Sequence, residues 1–254
     1  MTTSHSPQQA DGWTAAVRQR LGLGRLLPLG GPAEGAWIAE RAAASVLRSA
    51  AAGPGAVLGR LRIGAAAPDG PGRDTAGARP EADAPPPGSH ASPADEAVPA
   101  PPSALPSGPL RIEAEFSASA DRPLPDTAHT LRAALLTAAS ARLGLVVSEV
   151  DLRVTALLED GAPDRVSVPA DEVRAAKADG AAADAAAAVP GVVALTRELG
   201  SAVHSGADHL RVEVATAGDH RALDVARAVR TAVAAAVEGH PPVAVLVTAV
   251  VERD

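Results

Sequence analysis

The sequence predicts an α+β fold of two pseudo-repeated strand–helix–strand halves, each preceded by a helix, with a disordered Pro-rich tether splitting the first copy. Three observations predict it. VDLRVTALLED (150–160) returns as VAVLVTAVVERD (243–254), LRIEAE (110–115) returns as LRVEVA (210–215), and a helix-periodic stretch lies between the members of each pair. Self-similarity of this kind marks a duplicated unit that buries its apolar face against its twin.

In the first copy Leu124, Ala128, Leu131, Leu135 and Ala138 recur at helical spacing up to Gly144. In the second, Leu223, Ala226, Val229, Val233 and Val237 do so up to Gly239. Glycine just past a periodic stretch is a helix stop signal. LRAAL (131–135) and VRTAV (229–233) match position by position. Upstream, AAAGPGAVLGRLRI (50–63) parallels AAAVPGVVAL (186–195), a helix end, a Pro-Gly turn and an apolar segment. The preceding helices are expected over 37–52 and roughly 170–189.

Alternation assigns the strand faces. Glu113 and Glu115 lie opposite Leu110, Ile112 and Phe116, so they read as a solvated face. Val150, Leu152, Val154, Ala156 and Leu158 share one face against Asp151, Arg153 and Thr155, the pattern of a half-buried strand. In the last strand Val243, Val245, Val247, Ala249 and Val251 face opposite Ala244, Leu246, Thr248 and Val250, apolar on both sides. Such a strand is either central in its sheet or presents a docking surface, because an uncovered apolar face invites aggregation.

The expected organisation is an N-terminal arm (1–35), the first half of copy one (36–66), a linker (67–109), the second half of copy one (110–160) and copy two (161–254). The linker carries twelve of the 23 prolines and almost no branched aliphatics from residue 68 onward, too little burial to offset ordering entropy. In the arm, Trp13, Val17 and Leu21 recur at helical spacing among Arg18, Arg20 and Arg25. That is a short basic amphipathic segment, which either packs on the body or rests on an anionic membrane surface.

Composition narrows the function classes. A net charge of −7 argues against a general nucleic-acid or anionic-membrane binder. Absence of Cys excludes disulfides, thiolate chemistry and Cys-ligated zinc. With two Trp, one Phe and no Tyr, Ala, Val and Leu must fill the core. The N-terminus has no signal-peptide pattern and no apolar stretch reaches membrane-span length, so a cytoplasmic location is expected.

Catalytic and ligand-binding patterns are missing. Gly22-x-Gly24 lacks the third glycine, with Leu27 in its place, and no GK[ST] follows anywhere. No His pair among His204, His209, His220 and His240 has metal-binding helical spacing, and there is no G-x-S-x-G. No catalytic residue, cofactor or metal site is assigned.

GLVVSEVDLRVTALL (144–158) and the opening IAERAAASVLRSAA (38–51) resemble the alkaline-shock, Gls-type envelope stress response family. The resemblance covers roughly 36–66 with 109–158, and again 170–252. The chain, above all GWTAAVRQRLGLGRLLPLGGPAEGAWIAERAA (12–43), is also similar to actinobacterial proteins labelled after a baculovirus fibrous-body protein, although it has no sustained heptads. The family resemblance implies a non-enzymatic scaffold that oligomerises with alkaline-shock-like sister proteins, held near the membrane through a small anchor. On that reading the interface is Leu246 and Val250, or the edge carrying Arg153 and Leu157. The alternative is a small-molecule-sensing regulatory module built from the paired halves.

Overall fold

The structure is a computed structural model and describes residues 22–52, 55–67, 98–101, 103–158, 173–206 and 209–252. Trp13, Arg18 and Arg20 lie outside the described residues, as does most of the expected tether. Two sheets and four helices make up the described fold, in the α+β class expected.

In copy one, β1 (Leu26–Pro28) and β2 (Ala36–Ala39) lead into helix α1 (Glu40–Ala51) and strand β3 (Ala56–Ala65). Then follow β4 (Leu110–Ser119), α2 (Leu124–Ala138), a π turn (Ala139–Leu143) and β5 (Val147–Leu158). Copy two supplies β6 (Ala175–Ala176), α3 (Ala181–Ala187), β7 (Val192–Thr196), β8 (Val203–Ser205), β9 (Leu210–Ala217), α4 (Ala222–Ala236) and β10 (Val243–Val251).

The duplication is visible in the pairing. In copy one, β3 runs antiparallel to β4, and β4 runs parallel to β5 across the α2 crossover. In copy two, β7 runs antiparallel to β9, and β9 runs parallel to β10 across α4. Each first strand follows a helix, α1 or α3. Strands β3, β4 and β5 form their own sheet in that order, while the five strands of copy two join β1 and β2 in a seven-stranded sheet, β1-β2-β10-β9-β7-β6 with β8 on β9.

The halves interlock because copy one lends two strands to copy two. β2 pairs in parallel with β10, setting Trp37 beside Leu246 and Ile38 beside Val247, and β1 closes antiparallel on β2. Helix α1 packs between the sheets, touching β3, β10 and α2, while α4 packs on β10 and on α3. Val243 to Val250 are therefore all buried, Leu246 at 0% and Val250 at 9% exposure. The reading of these two as an interface is corrected: β10 is central, and its two apolar faces are covered within the chain.

Four further expectations change. Residues 37–39 are strand, not helix: Ala36–Ala39 is a fully buried apolar run that pairs with β10, and α1 starts only at Glu40. The second preceding helix is shortened to Ala181–Ala187. Helix α4 stops at Ala236, before the turn through Gly239 (φ 81°). The end of the expected tether is built into the body: Leu26 N–H donates to the Ser103 carbonyl, Leu105 N–H donates to the Leu26 carbonyl, and Val98 and Leu105 pack on the core.

The core is aliphatic, as the composition requires. Phe116 is the one phenylalanine and is 1% exposed, among Leu110, Ile112, Leu131, Leu135 and Ile63. Burying such side chains stabilises by about 1.5–3 kcal/mol each.

Candidate functional site

The three-stranded sheet carries its apolar residues inward, leaving its other face charged. Leu61, Ile63, Leu110, Ile112, Ala114, Phe116 and Val150 are buried. Outward, the registers stack Arg62, Glu113 and Asp151 in one row, Arg111 beside Glu149 in the next, and Glu115 beside Arg153 in a third. Arg60 sits in the bulge between Leu58 and Leu61. A groove of about 570 Å³ follows this face, lined by Arg25, Arg60, Arg62, Glu113, Glu115, Asp151 and Arg153. Its lining brings guanidinium and carboxylate groups together, with no hydroxyl, thiol or imidazole among them, and so suits polar recognition.

Arg25 enters this face through a tie between elements. The Glu40 carboxylate accepts from the Arg25 backbone N–H and guanidinium (3.2–3.3 Å) and from the Ile63 N–H at 3.0 Å, joining β1, α1 and β3. Burial pushes the Glu40 carboxyl up, but these hydrogen bonds and the Arg25 charge outweigh it and hold it below its ordinary value. The one described residue of the expected membrane-surface set is thus engaged in packing the arm onto the body.

Arg111 draws three carboxylates around it, Asp151 at 2.5 Å, Glu113 at 3.5 Å and Glu149 at 3.6 Å. Arg153, by contrast, pairs with no carboxylate among the described residues. The charged face is therefore acidic around Arg111, with one cation, Arg153, two residues beyond Asp151 and beside Glu115 in the register.

Strand β5 borders this face and, among the described residues, pairs only with β4, so no described strand covers its outer edge. Register shifts between Leu110 and Arg111 and between Phe116 and Ser117 break the simple alternation expected from the sequence. Val154 (39%), just before the second shift, and Leu157 (56%), beyond it, are exposed, and Val146 (53%) is exposed before the strand begins. The α2 residue Arg132 reaches this strand and donates from Nε to the Val150 carbonyl at 3.3 Å. Of the four sequence-predicted interface residues, the structure leaves Arg153 and Leu157 accessible and seals Leu246 and Val250.

The remaining candidates scatter. His220 Nδ1 lies 2.9 Å from Asp219 Oδ1 and His240 Nδ1 lies 2.9 Å from the Ala234 carbonyl. Among the described residues no group of three His, Asp or Glu gathers as a metal site. Glu252 pairs with Arg142, and Glu159 lies outside the described residues.

One ionisable cluster escaped the sequence reading. Glu213 is fully buried on β9, accepting from the Leu199 N–H at 3.1 Å and from Arg211 at 3.3 Å. Burial pushes its carboxyl above the ordinary value, against the lowering effect of the Leu199 hydrogen bond and the Arg211 charge. The signal available was a lone glutamate in LRVEVA, inside a strand flanked on both sides by apolar runs.

Comparison with protein-family models, with curated proteins and with solved structures found no match to this chain. Among the described residues, no helix is long and apolar enough to cross a membrane.

Proposed function

We propose that the chain is a non-catalytic interaction module, a scaffold of the envelope-stress type, whose β5 edge receives a strand from a sister protein. One observation supports this above the others. The two copies share a strand order, yet β10 has a second neighbour in β2 while its counterpart β5 has none among the described residues and exposes Val154 and Leu157. An open edge with apolar side chains is a surface for strand addition, where main-chain hydrogen bonds supply affinity and side chains supply specificity. A cytoplasmic, membrane-peripheral location, with related alkaline-shock-like chains and a small anchor as partners, completes the proposal.

Mild cross-linking in the native cell tests it, comparing wild type with Leu157→Glu. Leu157 is exposed, so the variant keeps its fold. The proposal expects defined sister chains to be captured by wild type and lost from the variant. A folded Leu157→Glu chain that retains every wild-type partner overturns it.

The polar groove favours a second reading, the small-molecule-sensing module. Its seven ionisable lining groups suit a zwitterionic or multiply charged metabolite. Saturable thermal stabilisation that Arg62→Ala abolishes would support that reading against the first.

A further inference from the structure

The geometry points to a second copy of this chain as a partner of the open edge, paired antiparallel β5 to β5 about a two-fold axis at Leu152. This rests on the edge-docking reading above and names its occupant.

The first argument is charge. Glu149 and Asp151 lie on the acidic side of Leu152, crowded with Glu113 around the single Arg111. Arg153 lies on the other side, beside Glu115 of β4 but in no ion pair among the described residues. Antiparallel pairing centred on Leu152 sets each Arg153 against the partner's Asp151, twice in one interface. Parallel self-pairing sets like charges side by side, and antiparallel centres at Asp151 or Arg153 place a charge against itself. Directly opposed cross-strand charges are the ones a strand pair reads.

The second argument is facing. The β4 register sets Val147, Val150, Leu152, Val154 and Leu157 beside Leu110, Ile112, Ala114, Phe116 and Ala118, the buried residues of β4. Those five positions are symmetric about Leu152. Centred there, Val154 meets the partner's Val150 and Leu157 meets the partner's Val147, each on the helix-covered face. The two most exposed apolar residues of β5 thereby gain apolar neighbours, and the charged positions Asp151 and Arg153 stay on the groove face. A two-fold interface requires this self-complementarity.

Charge reversal tests the register. Asp151 and Arg153 are both exposed, so the variants are expected to fold, and circular dichroism checks that they do. Sedimentation of the full chain should show a monomer–dimer equilibrium. Arg153→Glu alone and Asp151→Arg alone should each weaken dimerisation about tenfold or more, since two opposed pairs become like-charged. The double variant Asp151→Arg/Arg153→Glu should dimerise at least about threefold more tightly than either single reversal, because the swap restores both pairs between chains while losing the Arg111–Asp151 pair and opposing Glu115 within each chain. A dimer indifferent to the single reversals, or no tighter in the double variant than in the singles, overturns this register. A wild type monomeric at high-micromolar concentration overturns the inference of a second copy. Neither result touches sister-chain capture, which the Leu157→Glu cross-linking comparison decides separately.

Discussion

Glu40 is a half-buried carboxylate and Glu213 a fully buried one, and their surroundings send them in opposite directions. Glu40 meets Arg25 and two backbone N–H groups, which hold its carboxyl below the ordinary range. A depressed folded-state pKa contributes stability that is present above the unfolded value and lost as pH falls through the folded one. Glu40→Gln should therefore be less stable than wild type at neutral pH, with the gap closing on acidification, as read by urea titrations across pH. Glu213 has its pKa raised by burial. Its contribution is complete below the unfolded carboxylate value and is lost as pH rises through the folded one. Glu213→Gln, which keeps an acceptor for the Leu199 N–H, should gain on wild type as pH rises toward neutrality. Unchanged relative stability between acid and neutral pH would contradict this. Phe116 is almost fully buried in the core, and Phe116→Ala should cost about 3–5 kcal/mol in the same assay.

At the scale of elements, the turn after α2 is the most constrained join between the copies. Gly144 has φ 87°, and a β-carbon there would meet Leu223 of α4 at 2.5 Å. Its carbonyl also accepts from the Gly30 N–H. Gly144→Ala should destabilise by about 1–2 kcal/mol for the left-handed backbone alone, plus the cost of moving Leu223; an unchanged melting temperature would contradict this. Helix α2 and strand β4 were legible in the sequence because each buries one stripe or face, which writes a periodic signal, whereas β9, buried on both faces, was legible through the match of LRVEVA to LRIEAE. Strand β2 was not, because AWIA is apolar throughout and runs straight into the helical pattern from Glu40; its partner β10 lies at the other end of the chain. The bulges of β5 were illegible for a related reason. They are set by the register with β4, and they turn Leu157 onto the inner face where plain alternation had set it opposite Val154. The site was half legible: Arg153 and Leu157 could be read as an edge, but the covering of Leu246 by β2 is a long-range pairing that local pattern does not encode.

For the whole molecule, duplication explains both the core and the site. Neither copy has aromatic bulk to spare, so α1 and β2 of the first half are spent on the second half's sheet. That exchange completes β10 and leaves its counterpart β5 without a second neighbour among the described residues. The most direct measurement is hydrogen exchange of the full chain from low to high micromolar concentration, repeated with a co-expressed sister chain. The account predicts slowed exchange in β5 as association sets in, while β10 stays equally protected throughout. Exchange in β5 that is indifferent to both concentration and sister chain would contradict it.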